Sequence, residues 1–114
     1  MEKDLEQRTK RFSLSAVKFT AGLPRTRELD ILARQFLRSA TSIGANYREA
    51  NRGVSRADFS NKIGIIQKEA AETQYWIELL IESDLCNTAT AADLLDESSE
   101  LLAIFTSIGK KLKE

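Results

Sequence analysis

The sequence predicts an all-α protein folded as an antiparallel, up-down-up-down four-helix bundle. Three observations predict it. Apolar residues recur at alternating steps of four and three in four separate stretches, the period of helices packed nearly side by side. The breaks between these stretches are short, and short links force consecutive helices to run antiparallel. The 114 residues include only 5 Gly and 1 Pro, too little turn chemistry for a sandwich or barrel that turns roughly every eight to twelve residues.

The first helix, expected over about residues 3–21, carries its stripe on Leu5, Thr9, Phe12, Ala16 and Phe19, with Leu23 just beyond. Gly22-Leu23-Pro24 ends it, because Gly tolerates positive φ and Pro cannot donate a backbone hydrogen bond. The second, over about 26–52, reads Leu29, Ala33, Phe36, Ala40, Ile43, Tyr47, Ala50, with Val54 continuing the steps, and Gly53 suits its C-terminal cap. The third, over about 56–83, reads Phe59, Ile63, Ile66, Ala70, Thr73, Ile77, Leu80; it opens on a capping-box pattern from Ser55 to Asp58. The fourth, over about 90–113, reads Leu94, Ser98, Leu101, Phe105, Ile108, Leu112, with Thr90 to Asp93 as its expected cap. The two middle helices form a hairpin of arms roughly 40 Å long at 1.5 Å per residue. Gly44 and Gly64 are expected where those arms approach closely. One domain spans residues 1–114.

Composition removes most chemistry. The chain has no His and a single Cys, so Ser-His-Asp and Cys-His nucleophiles, His-ligated metals and intrachain disulfides are all excluded. Cys86 reads as a small packing residue. Glu69 and Glu72 lack the Glu-x-x-His partners of a di-metal bundle, and the five glycines form no phosphate-cradling loop. The expectation is therefore no enzyme, no cofactor, no metal and no small-molecule substrate. No apolar run reaches the roughly 18 residues of a membrane span, and the first twelve residues are charged where a signal peptide needs an apolar stretch; a cytoplasmic protein without a membrane partner is expected.

Charge is less uniform than its neutral sum suggests. Lys and Arg number 17, as do Asp and Glu, yet residues 1–56 hold 12 basic against 6 acidic and residues 57–114 hold 5 against 11. Arg25, Arg27, Arg34, Arg38, Arg48, Arg52 and Arg56 supply much of the positive half. Three readings fit: solvated faces paired between neighbouring helices, a basic side that meets another molecule's acidic side, or an arginine stripe for phosphates. Tyr75, Trp76, Leu79 and Leu80 cannot all point inward on one helix. Either Trp76 broadens the buried stripe, or Tyr75 and Trp76 anchor a subunit interface. Asn46 and Glu49 suggest a polar site, but a structural role fits better: Asn fixing register or bonding backbone, Glu pairing with Arg52, Arg48 or a residue on another helix.

The run Arg38-Ser39-Ala40-Thr41-Ser42-Ile43-Gly44-Ala45-Asn46-Tyr47-Arg48-Glu49-Ala50, with Ser55-Arg56-Ala57-Asp58-Phe59 and Glu72-Thr73-Gln74-Tyr75-Trp76-Ile77-Glu78-Leu79-Leu80, resembles the four-helix-bundle family of 23S rRNA intervening-sequence proteins. The likeness spans nearly the whole chain. It implies an antiparallel four-helix bundle that assembles as a homopentameric ring, with no catalytic residue to carry over. That family includes relatives of the accessory protein of diversity-generating retroelements, which implies contact with RNA or DNA beside a reverse transcriptase. The corresponding surface here would be Arg34, Arg38, Arg48, Arg52 and Arg56, and Asn46 and Glu49 match the family's polar positions in the second helix.

Overall fold

The computed structural model describes residues 4–114. Among them are four helices and no strand: α1 (Leu5–Ala21), α2 (Arg27–Ala50), α3 (Arg56–Glu82) and α4 (Ala89–Leu112). Each helix packs on its two neighbours in the cyclic order α1, α2, α3, α4, with α1 resting mainly on α2 and only thinly on α4. The bundle is a rod of 44 × 21 × 20 Å.

The stripes converge on one core. Phe36, Phe105, Leu5, Leu29, Ile43, Ile63, Ile66, Ile77, Leu80 and Leu101 are fully buried, each contributing about 1.5–3 kcal/mol through burial. Phe19 meets Phe36 edge to face at 6.1 Å, and Tyr47 meets Phe105 at 5.3 Å. Polar stripe positions are satisfied locally. Thr9 donates to the Glu6 carbonyl and Ser98 to that of Leu95. Between α2 and α3, Thr73 Oγ1 lies 3.0 Å from Ser39 Oγ and 2.7 Å from the Glu69 carbonyl oxygen.

The structure departs from the sequence reading at helix ends and at glycines, and Val54, expected on the second stripe, lies beyond α2 with its side chain exposed. Ser55 accepts from Asp58 N at 3.1 Å and starts α3 as expected, and Thr26 does the same for α2 through Leu29 N. Helix α4, however, starts one residue before Thr90: Asn87 Oδ1 accepts from Ala89 N at 2.9 Å, Thr88 is the cap position without a side-chain bond, and Thr90 falls inside the helix. Helix α2 stops at Ala50, and Asn51 to Gly53 continue only as a turn. Neither Gly22 nor Gly53 uses positive φ; that conformation falls instead to Asp84, φ 59°, in the turn after α3. Finally, Gly44 makes room for α1 and not α3, since a Cβ there would lie 3.2 Å from Thr9 Oγ1, while Gly64 faces open space.

Candidate functional site

The bundle turns the charge asymmetry of the chain into one of space. Because α1 lies beside α2 and α3 beside α4, the basic half of the sequence forms one long side of the rod and the acidic half the other. The seams between the sides are stitched by ion pairs. Across the α1–α4 seam, the Arg8 guanidinium grips Glu97 with two parallel bonds of 2.8 Å and reaches Glu100 at 2.9 Å. Across the α2–α3 seam, Arg38 donates to Glu72 at 2.7 Å and Glu69 at 3.3 Å, while Lys62 donates to Glu49 at 2.7 Å.

The five arginines of the expected contact surface therefore separate. Arg38 is engaged within the chain by the two α3 carboxylates. Arg56 stands at the start of α3 and donates to the Leu112 carbonyl at the end of α4. Arg34 is exposed on α2 without a partner among the described residues. Arg48 and Arg52 do come together, in a groove of about 470 Å³ between α1 and α2.

That groove exists because two small residues, Gly44 and Ala45, face it between the helix ridges. Its walls carry Lys10, Arg48 and Arg52 against Glu6 and Glu49. Both carboxylates are partly spent elsewhere: Glu6 accepts from Asn51 at 2.8 Å and lies 3.7 Å from Arg48 Nε, and Glu49 is held by Lys62. Arg52 bonds the Arg48 carbonyl at 3.1 Å, capping its own helix end, and its charge has no carboxylate partner among the described residues. The groove thus presents a cation excess on the basic side, chemistry suited to phosphate oxygens.

Asn46 bonds backwards along its own helix, donating Nδ2 to the Ser42 carbonyl at 2.8 Å. Glu49 is an exposed ion-pair partner of α3. The aromatic pair divides: Tyr75 is 55% exposed, whereas Trp76 is half-buried against the core with its indole nitrogen buried and unbonded. The rings meet edge to face at 5.2 Å. Cys86 lies near the Leu80 carbonyl, and burial pushes its thiol pKa upward, so it stays protonated and a weak nucleophile. Among the described residues, no helix is long and apolar enough to cross a membrane.

Sequence reasoning misses the part played by α1. Lys10 completes the groove, Glu6 ties the end of α2, and Arg8 closes the α1–α4 seam. Their placement opposite or beside the Leu5–Thr9–Phe12 stripe is readable from period, but the partners of Glu6 and Arg8 lie more than forty residues away.

Comparison with known proteins places this geometry. The family model described as 23S rRNA-intervening sequence protein matches residues 2–107. No curated protein is similar enough to match. A crystal structure of a protein of unknown function from the S23 ribosomal protein family of Bacteroides thetaiotaomicron is 38% identical. The match covers 92% of this chain and 97% of that one, with a TM-score of 0.84.

Proposed function

We propose, from the premise that the chain belongs to the family of 23S rRNA-intervening sequence proteins, that it is a non-enzymatic scaffold that assembles itself into a homopentameric ring and serves in connection with rRNA. The observation that carries this reading is the partition of charge between the two long sides of one rod. Like sides repel and unlike sides attract, so copies align basic flank to acidic flank. A contact between unlike patches is head-to-tail, and such contacts either close into a ring or run on as a filament. Charge sets the orientation, and exposed apolar side chains supply adhesion. The absence of His, and burial that pushes the Cys86 thiol pKa upward, support a role without chemistry. Light scattering on the separated protein tests the reading: the expected mass is five times the 12.8 kDa of one chain. A monomer at every concentration overturns it.

A second reading has its own support in the Lys10–Arg48–Arg52 groove. It makes the protein a nucleic-acid-binding accessory that works beside a reverse transcriptase or another enzyme of RNA or DNA. Anisotropy of a labelled single strand tests it, with affinity expected to fall steeply with salt and to drop in Arg52→Glu. No binding at about 50 mM salt removes this reading and leaves the first untouched.

A further inference from the structure

The four helices end at different levels, and the mismatch leaves a step at one end of the rod. Arg8 sits level with Glu97 and Glu100, and α1 starts only three residues earlier, so α4 from Ile104 onward runs past the end of α1. Lys62 sits level with Glu49, one residue from the end of α2, so the first turns of α3 run past α2 in the same way. Among the described residues, what remains beyond is a two-helix ledge with the link of residues 51–55 against its first turn, tied by Arg56 to the Leu112 carbonyl and by Gln67 to that of Phe105. Its inner side is a groove of about 420 Å³ with Phe59, Ile104, Ile108 and Leu112 for a floor. Among the described residues, the charged ones that line it are Arg56 and Lys111, with no carboxylate.

The opposite end of α3 carries the complement. Tyr75 is the one aromatic among the exposed large apolar side chains of the described residues, and its ring is steadied edge-on by Trp76. Glu78 and Glu82 follow it at steps of three and four on the same outward face, both exposed and without a partner among the described residues. Tyr with its polar tip and Arg at a pocket rim are the side chains that most often anchor subunit contacts.

We propose that the ledge groove is the socket for a second copy of this chain, filled by Tyr75 while Glu78 and Glu82 face Arg56 and Lys111. This contact rests on the self-assembly reading and moves its opposite charges to the two ends of the α3–α4 side, where Arg56 and Lys111 of one copy stand against Glu78 and Glu82 of the next. Knob and socket lie on different parts of the surface, so each copy offers one of each and the contact is head-to-tail.

Sedimentation of two variants tests it, all altered side chains being exposed. Tyr75→Ala loses the knob; Arg56→Glu with Lys111→Glu loses the socket. Each alone is expected to sediment as a monomer with wild-type helicity, and an equimolar mixture as a species of two chains, because one intact knob meets one intact socket and growth stops there. Glu78→Lys with Glu82→Lys should behave as the knob variant does. Either variant keeping the wild-type mass, or a mixture that stays monomeric, overturns this contact while leaving self-assembly standing; a wild-type monomer removes both.

Discussion

Three glycines inside helices look alike in sequence and are predicted to respond differently to the same substitution. Gly64 is exposed, and a methyl group placed on its α-carbon would meet nothing within 4 Å, so Gly64→Ala gains helix propensity alone, about 0.5–1 kcal/mol of stability in a urea titration. Gly44 stands 3.2 Å from Thr9 Oγ1 and 3.4 Å from the Thr9 backbone at the position a Cβ would take. Backbone cannot swing aside, so α1 must shift, and overpacking of about 1–3 kcal/mol outweighs the propensity gain. Gly44→Ala is expected to lower the urea midpoint. At Gly109 a Cβ would run into Gln67 Nε2, which donates to the Phe105 carbonyl at 2.9 Å. That amide is the far end of a flexible side chain, so the loss is one hydrogen bond of roughly 1 kcal/mol, close to what the helix gains. Gly109→Ala should be nearly neutral in the wild type and stabilising by about 1 kcal/mol in a Gln67→Ala background, a coupling read directly from the double-mutant cycle.

At the scale of the element, α1 is the least secured helix. It has 17 residues against 24 to 27 in the others and leans only thinly on α4. The bidentate Arg8–Glu97 pair is partly buried, with the Arg8 side chain 19% exposed, and such pairs are stronger than ordinary surface bridges. Glu97→Gln is therefore expected to cost on the order of 1 kcal/mol and to speed amide exchange in α1 before α2 or α3; equal acceleration in all four helices would place the pair in the global unfolding unit. What the sequence shows and withholds follows the same division. The helices are legible because burial imposes a local period, and Leu29, Phe36, Ile43 and Tyr47 advertise one face whatever packs on it. The start of α4 is not, because Asn87, Thr88 and Thr90 are all capping residue types within four positions, and propensity alone does not choose among them. The arginine stripe dissolves because pairing is a long-range fact: Arg38 meets residues thirty-one and thirty-four positions away, and spacing along α2 carries no trace of them. The neighbour of Gly44 is hidden for the same reason, since Thr9 lies on another helix.

At the scale of the whole molecule, two kinds of force do separate jobs, and salt tells them apart. The rod itself is held by an apolar core from Leu5 to Phe105, and burial of that kind is indifferent to moderate ionic strength. In the proposed assembly, contact between rods depends by contrast on exposed charge of opposite sign. Exposed charges are screened over about 10 Å at 0.1 M salt and about 3 Å at 1 M. The seam pairs within a chain, Arg8–Glu97, Arg38–Glu72 and Lys62–Glu49, are screened as well, but as partly exposed pairs they add little beside the apolar core. Raising salt from about 0.1 M to about 1 M is thus expected to shift the light-scattering mass from assembly toward single chains while helical circular dichroism and the thermal midpoint of the free chain stay nearly constant. If helicity fell together with mass, the charges of the two sides would be holding the bundle and not its neighbours. If mass stayed fixed to about 1 M, apolar contact alone would bind the copies, and the separation of charge would be left to steer their approach, a matter of association rate.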